Sequence, residues 1–135
     1  MPAIKIDHVA IAVNDMDSAL GFWQQALGLD LNGIEAVPAE EVEIAFLETE
    51  NAHIELVRPT TNDSGIARYI DKKGTGMHHL CLAVHDIEAA MQRIADAGCE
   101  LINETPRTRD NGTRYAFVHP KSTGGVLVEL YEAAK

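Results

Sequence analysis

The feature that most constrains the fold is an internal duplication. When the chain is shifted by 71 residues against itself, His8 falls on His79, and the apolar residues that follow both histidines align. Near the end of each copy, Glu55–Leu56 falls on Glu129–Leu130 at a shift of 74 residues. The second copy therefore has three additional residues, which we place in the loop 121–125. Identities that keep their order along the chain indicate a tandem duplication of one supersecondary unit.

Each copy is predicted to be a βαβββ unit. Apolar segments of strand length open the two copies at 4–13 and 79–84. A helix follows each strand, with an aspartate as N-cap and a glycine at its end: Asp15 and Gly28 in the first copy, Asp86 and Gly98 in the second. Shorter strands are predicted at 42–48, 53–57, 115–119 and 126–131. We therefore predict an α+β protein with a single domain, 1–135, built from repeats of about 4–60 and 76–132 and a linking helix over 64–73.

Composition limits the classes of partner. The net charge of −10 argues against nucleic-acid binding, which needs a basic surface. The apolar runs are too short to span a bilayer, and we see no signal-peptide pattern, so we predict a cytoplasmic protein without membrane contact. The two cysteines, Cys81 and Cys99, are too few for a disulfide framework, and we expect both to be reduced.

A short cationic segment stands out against the acidic background. Four of the eleven basic residues fall within residues 107–121: Arg107, Arg109, Arg114 and Lys121. The segment is either a solvated loop or a local anchor for an anionic ligand. Composition alone favours the solvated loop.

Two histidines and two glutamates recur at matched positions of the repeats. Strand alternation places small residues on the same face as His8 and as His79, which leaves room for a ligand beside each ring. Glu55 and Glu129 each lie inside an apolar strand, where an unpaired carboxylate is costly. If the two modules face each other, the four side chains converge, and imidazole nitrogens with carboxylate oxygens suit a divalent transition metal.

Taken singly, each of these four residues is also compatible with an ordinary strand histidine or a solvated glutamate. Their pairing by the duplication favours the metal interpretation. The remaining histidines are not predicted to bind metal. His78 points to the opposite face from His79, and the others lack a repeat partner: His53, His85 and His119.

Several segments of the sequence resemble those of a known family. The segments "IDHVAIAV", "IELVRPT", "GMHHLCLAV", "INETPR" and "FVHPKSTGGVLVELYE" resemble the methylmalonyl-CoA epimerases of the vicinal oxygen chelate (glyoxalase/bleomycin resistance/dioxygenase) superfamily. The His/Glu pattern marks only the superfamily, whereas "HPKSTGGVLVEL" and "VEIAFL" are more specific to the epimerases. The resemblance covers residues 4–132. It implies two tandem βαβββ modules that form a cupped mixed sheet around a metal site, in a homodimer.

The resemblance also implies roles for individual residues. It makes four residues the ligands of one divalent metal ion per chain: His8, Glu55, His79 and Glu129. The ion is Co²⁺ in the interpretation we favour, with Mn²⁺, Ni²⁺ or Zn²⁺ as alternatives. Glu43 corresponds to the family's catalytic base, and Glu129 is the candidate for the second proton transfer. At the shift of 71 residues Glu43 falls on Arg114, so this position differs between the repeats. Residues 119–125 correspond to the loop that meets coenzyme A, and the predicted substrate-binding residues are Lys121, Ser122 and Arg114.

The implied reaction is epimerisation at C2 of methylmalonyl-CoA, an acyl-CoA substrate, through a metal-stabilised enolate and proton transfer by glutamate. Two alternatives remain open. One is a glyoxalase I-like lactoylglutathione lyase, which shares the ligand set. The other is a non-catalytic, small-molecule-binding member of the superfamily. The sequence departs from the epimerase pattern at "RTRDNGTR", where the epimerases often have a glycine-rich turn. This departure bears on which acyl group the protein binds.

Overall fold

A computed structural model describes residues 3–135, and in it the chain divides into two compact units. We call His8–His78 the first unit. The second unit consists of His79–Lys135 together with the residues up to Asp7. Eight strands and three α-helices are present in the described residues, which confirms the predicted α+β class. In the same residues, no helix is both long and apolar enough to cross a membrane.

The first unit contains four strands and two α-helices. The elements are β1 (Lys5–Ala12, whose first residues belong to the second unit), α1 (Met16–Leu20), β2 (Asp30–Val37), β3 (Val42–Glu48), β4 (His53–Pro59) and α2 (Gly65–Lys73). A π-helical segment, Gly21–Ala26, continues α1, and a 3₁₀ turn, Pro38–Glu40, precedes β3. The strand order is β2-β3-β4-β1, in which β1 and β4 are parallel and the other neighbours are antiparallel.

The second unit repeats this topology. Its elements are β5 (Gly76–Ala83, whose first residues belong to the first unit), α3 (Ile87–Asp96), β6 (Arg107–Thr108), β7 (Arg114–Val118), a 3₁₀ turn (Pro120–Ser122) and β8 (Val128–Glu132). Here β5 and β8 are parallel, and β7 pairs antiparallel with both β8 and β6. The order β5-β8-β7-β6 is thus the counterpart of β1-β4-β3-β2, which is the pattern a duplicated βαβββ unit predicts.

The predicted helix signals act as capping groups. The Asp15 carboxylate accepts a hydrogen bond from the Ser18 amide, and that of Asp86 accepts one from the Ala89 amide, both at 3.1 Å. Ser64 caps the linking helix by accepting from the Ala67 amide at 3.1 Å. That helix occupies 65–73, one residue shorter at its start than the predicted 64–73, because Ser64 is the cap.

One face of the sheet in each unit packs against a helix, and we call it the helix face. In the first unit α1 lies on Ala45, Leu47 and Leu56, which are fully buried. In the second unit α3 covers a corresponding cluster: Val84, Ala116, Val118 and Leu130. Side chains alternate along a strand, so the neighbours of these residues point to the other face. That other face carries the predicted histidines, and we call it the histidine face.

Candidate functional site

The histidine face of the first unit holds a largely buried carboxylate between two imidazole rings. In the parallel pairing of β1 with β4, His8 lies opposite His53 and Ala10 lies opposite Glu55. The Glu55 Oε2 atom is 3.2 Å from His8 Nδ1 and 2.8 Å from His53 Nε2. The side chains of His8 and Glu55 are 8% and 12% exposed. A carboxylate so far removed from water requires such partners, because an unpaired one would be strongly destabilising.

His53 belongs to this cluster, although it is not among the predicted ligands. The second repeat has no histidine at the matched position, so the duplication does not indicate a role for His53. The signal that could have found it is alternation: His53 lies two residues before Glu55 on one strand and therefore shares its face. The rings of His53 and His8 have centroids 5.0 Å apart. The first unit thus presents one imidazole more than the duplication predicts.

The second unit places its predicted pair together as well. The His79 Nε2 atom lies 3.0 Å from Glu129 Oε1, and the Glu129 side chain is only 4% exposed. The other oxygen, Oε2, accepts a hydrogen bond from the Arg109 guanidinium at 3.2 Å. The buried carboxylate is therefore held between an imidazole and a guanidinium. Imidazole nitrogens and carboxylate oxygens are ligands that suit a divalent transition metal.

The surroundings of Glu129 also affect the pKa of a tyrosine on the same face of the strand. Tyr131 lies two residues beyond Glu129 on β8. Burial raises the pKa of the Tyr131 phenol, and the nearby carboxylates of Asp7 and Glu129 add to that effect, whereas the Arg109 guanidinium opposes it. Because phenols titrate well above neutrality even when unperturbed, Tyr131 is a neutral hydroxyl at physiological pH.

Glu43, the predicted base, lies on the helix face of the first unit. Its cross-strand partner is Arg58, and Glu43 Oε1 accepts from Arg58 Nε at 3.2 Å. Cross-strand neighbours share a face, and in this register Phe46 is the residue of β3 that lies opposite Glu55. Glu43 is an odd number of residues from Phe46, so the two alternate to different faces. The structure therefore does not bring Glu43 onto the face that carries Glu55.

Arg114 occupies the corresponding position of the second unit with the charges reversed. It lies opposite Glu132 and donates to that carboxylate at 2.7 Å and to Glu88 on α3 at 2.9 Å. Hydrogen bonds to Glu88 and Glu132 raise the pKa of Arg114. Glu132 is buried and also accepts from the Ile87 amide at the start of α3. Arg114 thus fastens the helix to the sheet on the helix face, away from Glu129.

Lys121 and Ser122 lie together in the 3₁₀ turn before β8. The Lys121 ammonium is 2.6 Å from Glu100 Oε1, and Ser122 Oγ accepts from the Glu100 amide at 2.8 Å. The hydrogen bond from Lys121 lowers the pKa of the Glu100 carboxyl. Because the Lys121 side chain is 65% exposed, its ammonium is accessible to a ligand in solvent.

Two surface cavities lie elsewhere. One, of about 510 Å³, is lined in the first unit by residues that include Arg58, Thr60 and Asp71. Another, of about 400 Å³, lies along α3 in the second unit and includes Glu104 and Arg114 in its lining. Neither cavity is lined by a predicted metal ligand. The chemical character of the two clusters, rather than cavity size, therefore identifies the candidate site.

Comparisons with known proteins agree with this chemistry. Residues 7–117 match the family described as the Glyoxalase/Bleomycin resistance protein/Dioxygenase superfamily. The mitochondrial methylmalonyl-CoA epimerase of Homo sapiens is 36% identical over 130 residues, which are 96% of this chain and 74% of that protein. Among solved structures, methylmalonyl-CoA epimerase from Mycobacterium tuberculosis is 37% identical with a TM-score of 0.84, over 96% of this chain and 88% of that one.

A methylmalonyl-CoA epimerase solved in complex with methylmalonyl-CoA and NH4+ is 31% identical with a TM-score of 0.85, over 98% of this chain and 96% of that one. These matches confirm the resemblance found in the sequence and the fold that it implies. The chain belongs to the glyoxalase/bleomycin resistance protein/dioxygenase superfamily, and within it to the family that contains the methylmalonyl-CoA epimerases.

Proposed function

We propose that this chain is an isomerase that interconverts the R and S forms of methylmalonyl-CoA by epimerisation at C2. The observation that carries the proposal is the buried His–Glu contact found at matched positions of both units, His8 with Glu55 and His79 with Glu129. The substrate is inferred from the similarity to proteins named methylmalonyl-CoA epimerase, one of them in complex with methylmalonyl-CoA. A homodimer and a cytoplasmic location remain predictions from the sequence.

The four residues of the two contacts are proposed to bind one divalent metal ion per chain, with Co²⁺ favoured over Mn²⁺, Ni²⁺ or Zn²⁺. A largely buried set of imidazole nitrogens and carboxylate oxygens supports this assignment. When bound, such an ion supplies Lewis-acid stabilisation of negative charge that develops on a carbonyl oxygen. The protein contributes the remaining steps: it orients the acyl group and moves the C2 proton.

The first prediction concerns the metal. Purified wild-type protein loaded with Co²⁺ should hold about one ion per chain, and His79→Ala should lose most of it because a ligand is removed. His85→Ala is the matched control, since His85 is exposed and lies outside both clusters. Elemental analysis after desalting measures the content. Full metal occupancy in His79→Ala, with His85→Ala unchanged, would contradict the proposed ligand set.

Inversion at C2 requires proton removal on one face of the acyl group and proton delivery on the other. We propose Glu43 for one transfer, on the strength of the family resemblance, and Glu129 for the other. In the structure Glu43 pairs with Arg58, and both side chains are about one third exposed, at 31% and 33%. The proposed role therefore requires two changes: this ion pair must open, and the beginning of β3 must rearrange so that the Glu43 carboxylate leaves the helix face.

The second prediction tests Glu43. Glu43→Gln keeps the shape of the side chain and removes its basicity, so kcat should fall by about 100-fold or more while metal content stays unchanged. Glu48→Gln is the control, because Glu48 is an exposed glutamate at the end of the same strand. Steady-state epimerisation kinetics give kcat for both variants. If Glu43→Gln turns over at the wild-type rate, Glu43 has no part in proton transfer.

Lys121 and Ser122 are proposed to contact the coenzyme A portion of the substrate. The exposed ammonium of Lys121 supports this role, and a phosphate would replace Glu100 as its partner. For Arg114, which the sequence also suggested for substrate binding, we propose a structural role instead. Its ion pair with Glu88 joins β7 to α3, and its ion pair with Glu132 joins β7 to β8.

The third prediction tests Lys121. In Lys121→Ala, KM should rise roughly 2- to 5-fold with kcat unchanged, which is the effect of losing one exposed charge contact remote from the reacting carbon. Lys72→Ala, a substitution of an exposed lysine in α2, is the matched control. An unchanged KM in Lys121→Ala would leave residues 119–125 without a demonstrated contact to the substrate.

A further inference from the structure

One cation of the second unit lies beside the candidate catalytic groups. The Arg109 guanidinium donates to Glu129 Oε2 at 3.2 Å, and its side chain is 34% exposed. The Glu129 carboxylate is buried, so Arg109 lies at the boundary between that carboxylate and the solvent. Among the basic residues of the segment 107–121, Arg114 and Lys121 have acidic partners away from Glu129: Glu88 and Glu132 for the arginine, Glu100 for the lysine.

Arg109 is held in position by its backbone and by an aromatic ring. Its amide donates to the Thr113 carbonyl at 2.8 Å, and its carbonyl accepts from the Gly112 amide at 2.9 Å, which closes a tight turn. Gly112 has a φ of 88°, a conformation that favours glycine. The guanidinium carbon lies 3.7 Å from the centroid of the Tyr115 ring, in a cation–π contact. These restraints reduce the entropy that the side chain loses when it binds a ligand.

The charge environment explains why a fixed guanidinium matters here. The chain carries a net charge of −10, and the buried Glu129 would repel an approaching anion. A guanidinium carries five N–H donors in a planar fork that matches a carboxylate, and the contact with Glu129 involves one of its nitrogen atoms. Arg109 can therefore offset the charge of Glu129 and still present donors to a second carboxylate.

We propose that Arg109 determines specificity for the acyl group by binding the free carboxylate of a malonyl-type thioester. The inference rests on the proposed function, and it adds the residue that recognises the carboxylate next to the reacting carbon. Thioesters with an uncharged acyl group share the coenzyme A portion but lack this carboxylate. They bind without the charge-assisted hydrogen bonds that Arg109 provides.

The test compares two ligands by calorimetry, with metal-loaded protein and no need for turnover. The ligands are methylmalonyl-CoA, equilibrated between its stereoisomers, and propionyl-CoA, which lacks the carboxylate. Wild-type protein should bind methylmalonyl-CoA more tightly. The Kd for propionyl-CoA divided by the Kd for methylmalonyl-CoA measures the discrimination. In Arg109→Gln this ratio should fall by about 10- to 100-fold, as for loss of hydrogen bonds to a charged group. Most of the change should be in the affinity for methylmalonyl-CoA.

Two further variants make the result specific. Arg109→Lys keeps the charge but not the fork, so it should retain only part of the discrimination. Arg93→Gln removes an exposed arginine from α3 and should leave the ratio unchanged. If folded Arg109→Gln weakens both ligands equally, or neither, the inference is overturned while the proposed function stands. Wild-type protein that binds neither thioester would overturn the proposed function and, with it, the inference.

Discussion

The burial of two carboxylates inside apolar strands is the constraint on which the site depends. Glu55 and Glu129 each lie next to the fully buried core of their unit, where an isolated charge would destabilise the fold by several kcal/mol. In each unit an imidazole nitrogen lies close to a carboxylate oxygen, at 3.2 Å in the first unit and 3.0 Å in the second. Such an arrangement costs stability relative to an apolar core, and its presence in both copies favours a role in binding rather than in folding.

The duplication also constrains the helix face of the sheet. Glu43 with Arg58 and Arg114 with Glu132 are the same cross-strand pair with the charges exchanged. In the second unit the pair is tied to α3 through Glu88, whereas in the first unit both partners are about one third exposed. The two copies thus keep one ion pair on the helix face and differ in how firmly it is held. This difference leaves the first pair available for a role beyond structure.

Much of the fold could be predicted because it follows from local chemistry. The duplication, the capping aspartates and the strand alternation predicted the α+β class, and the duplication singled out His8 and Glu55 as candidate site residues. The register of β3 against β4 could not be predicted, because it depends on the hairpin between them, and it decides that Glu43 lies on the helix face. Strand β2 (Asp30–Val37), which is largely exposed, has little of the apolar alternation by which sequence analysis locates strands. Arg109 reaches Glu129 across 20 residues of sequence through a turn, and sequence spacing does not show such a contact.

The central claim is that the two His–Glu contacts serve metal-dependent proton transfer at C2 of a malonyl thioester. The most direct measurement is the incorporation of deuterium into methylmalonyl-CoA in D₂O, monitored by mass spectrometry. Three samples are compared: protein as purified, protein treated with a chelator, and treated protein reloaded with Co²⁺. The account predicts that the protein as purified rapidly incorporates one deuterium at C2. Chelation should abolish this exchange activity, and reloading with Co²⁺ should restore it. Incorporation no faster than in the absence of protein, from a sample shown to contain the metal, would contradict it.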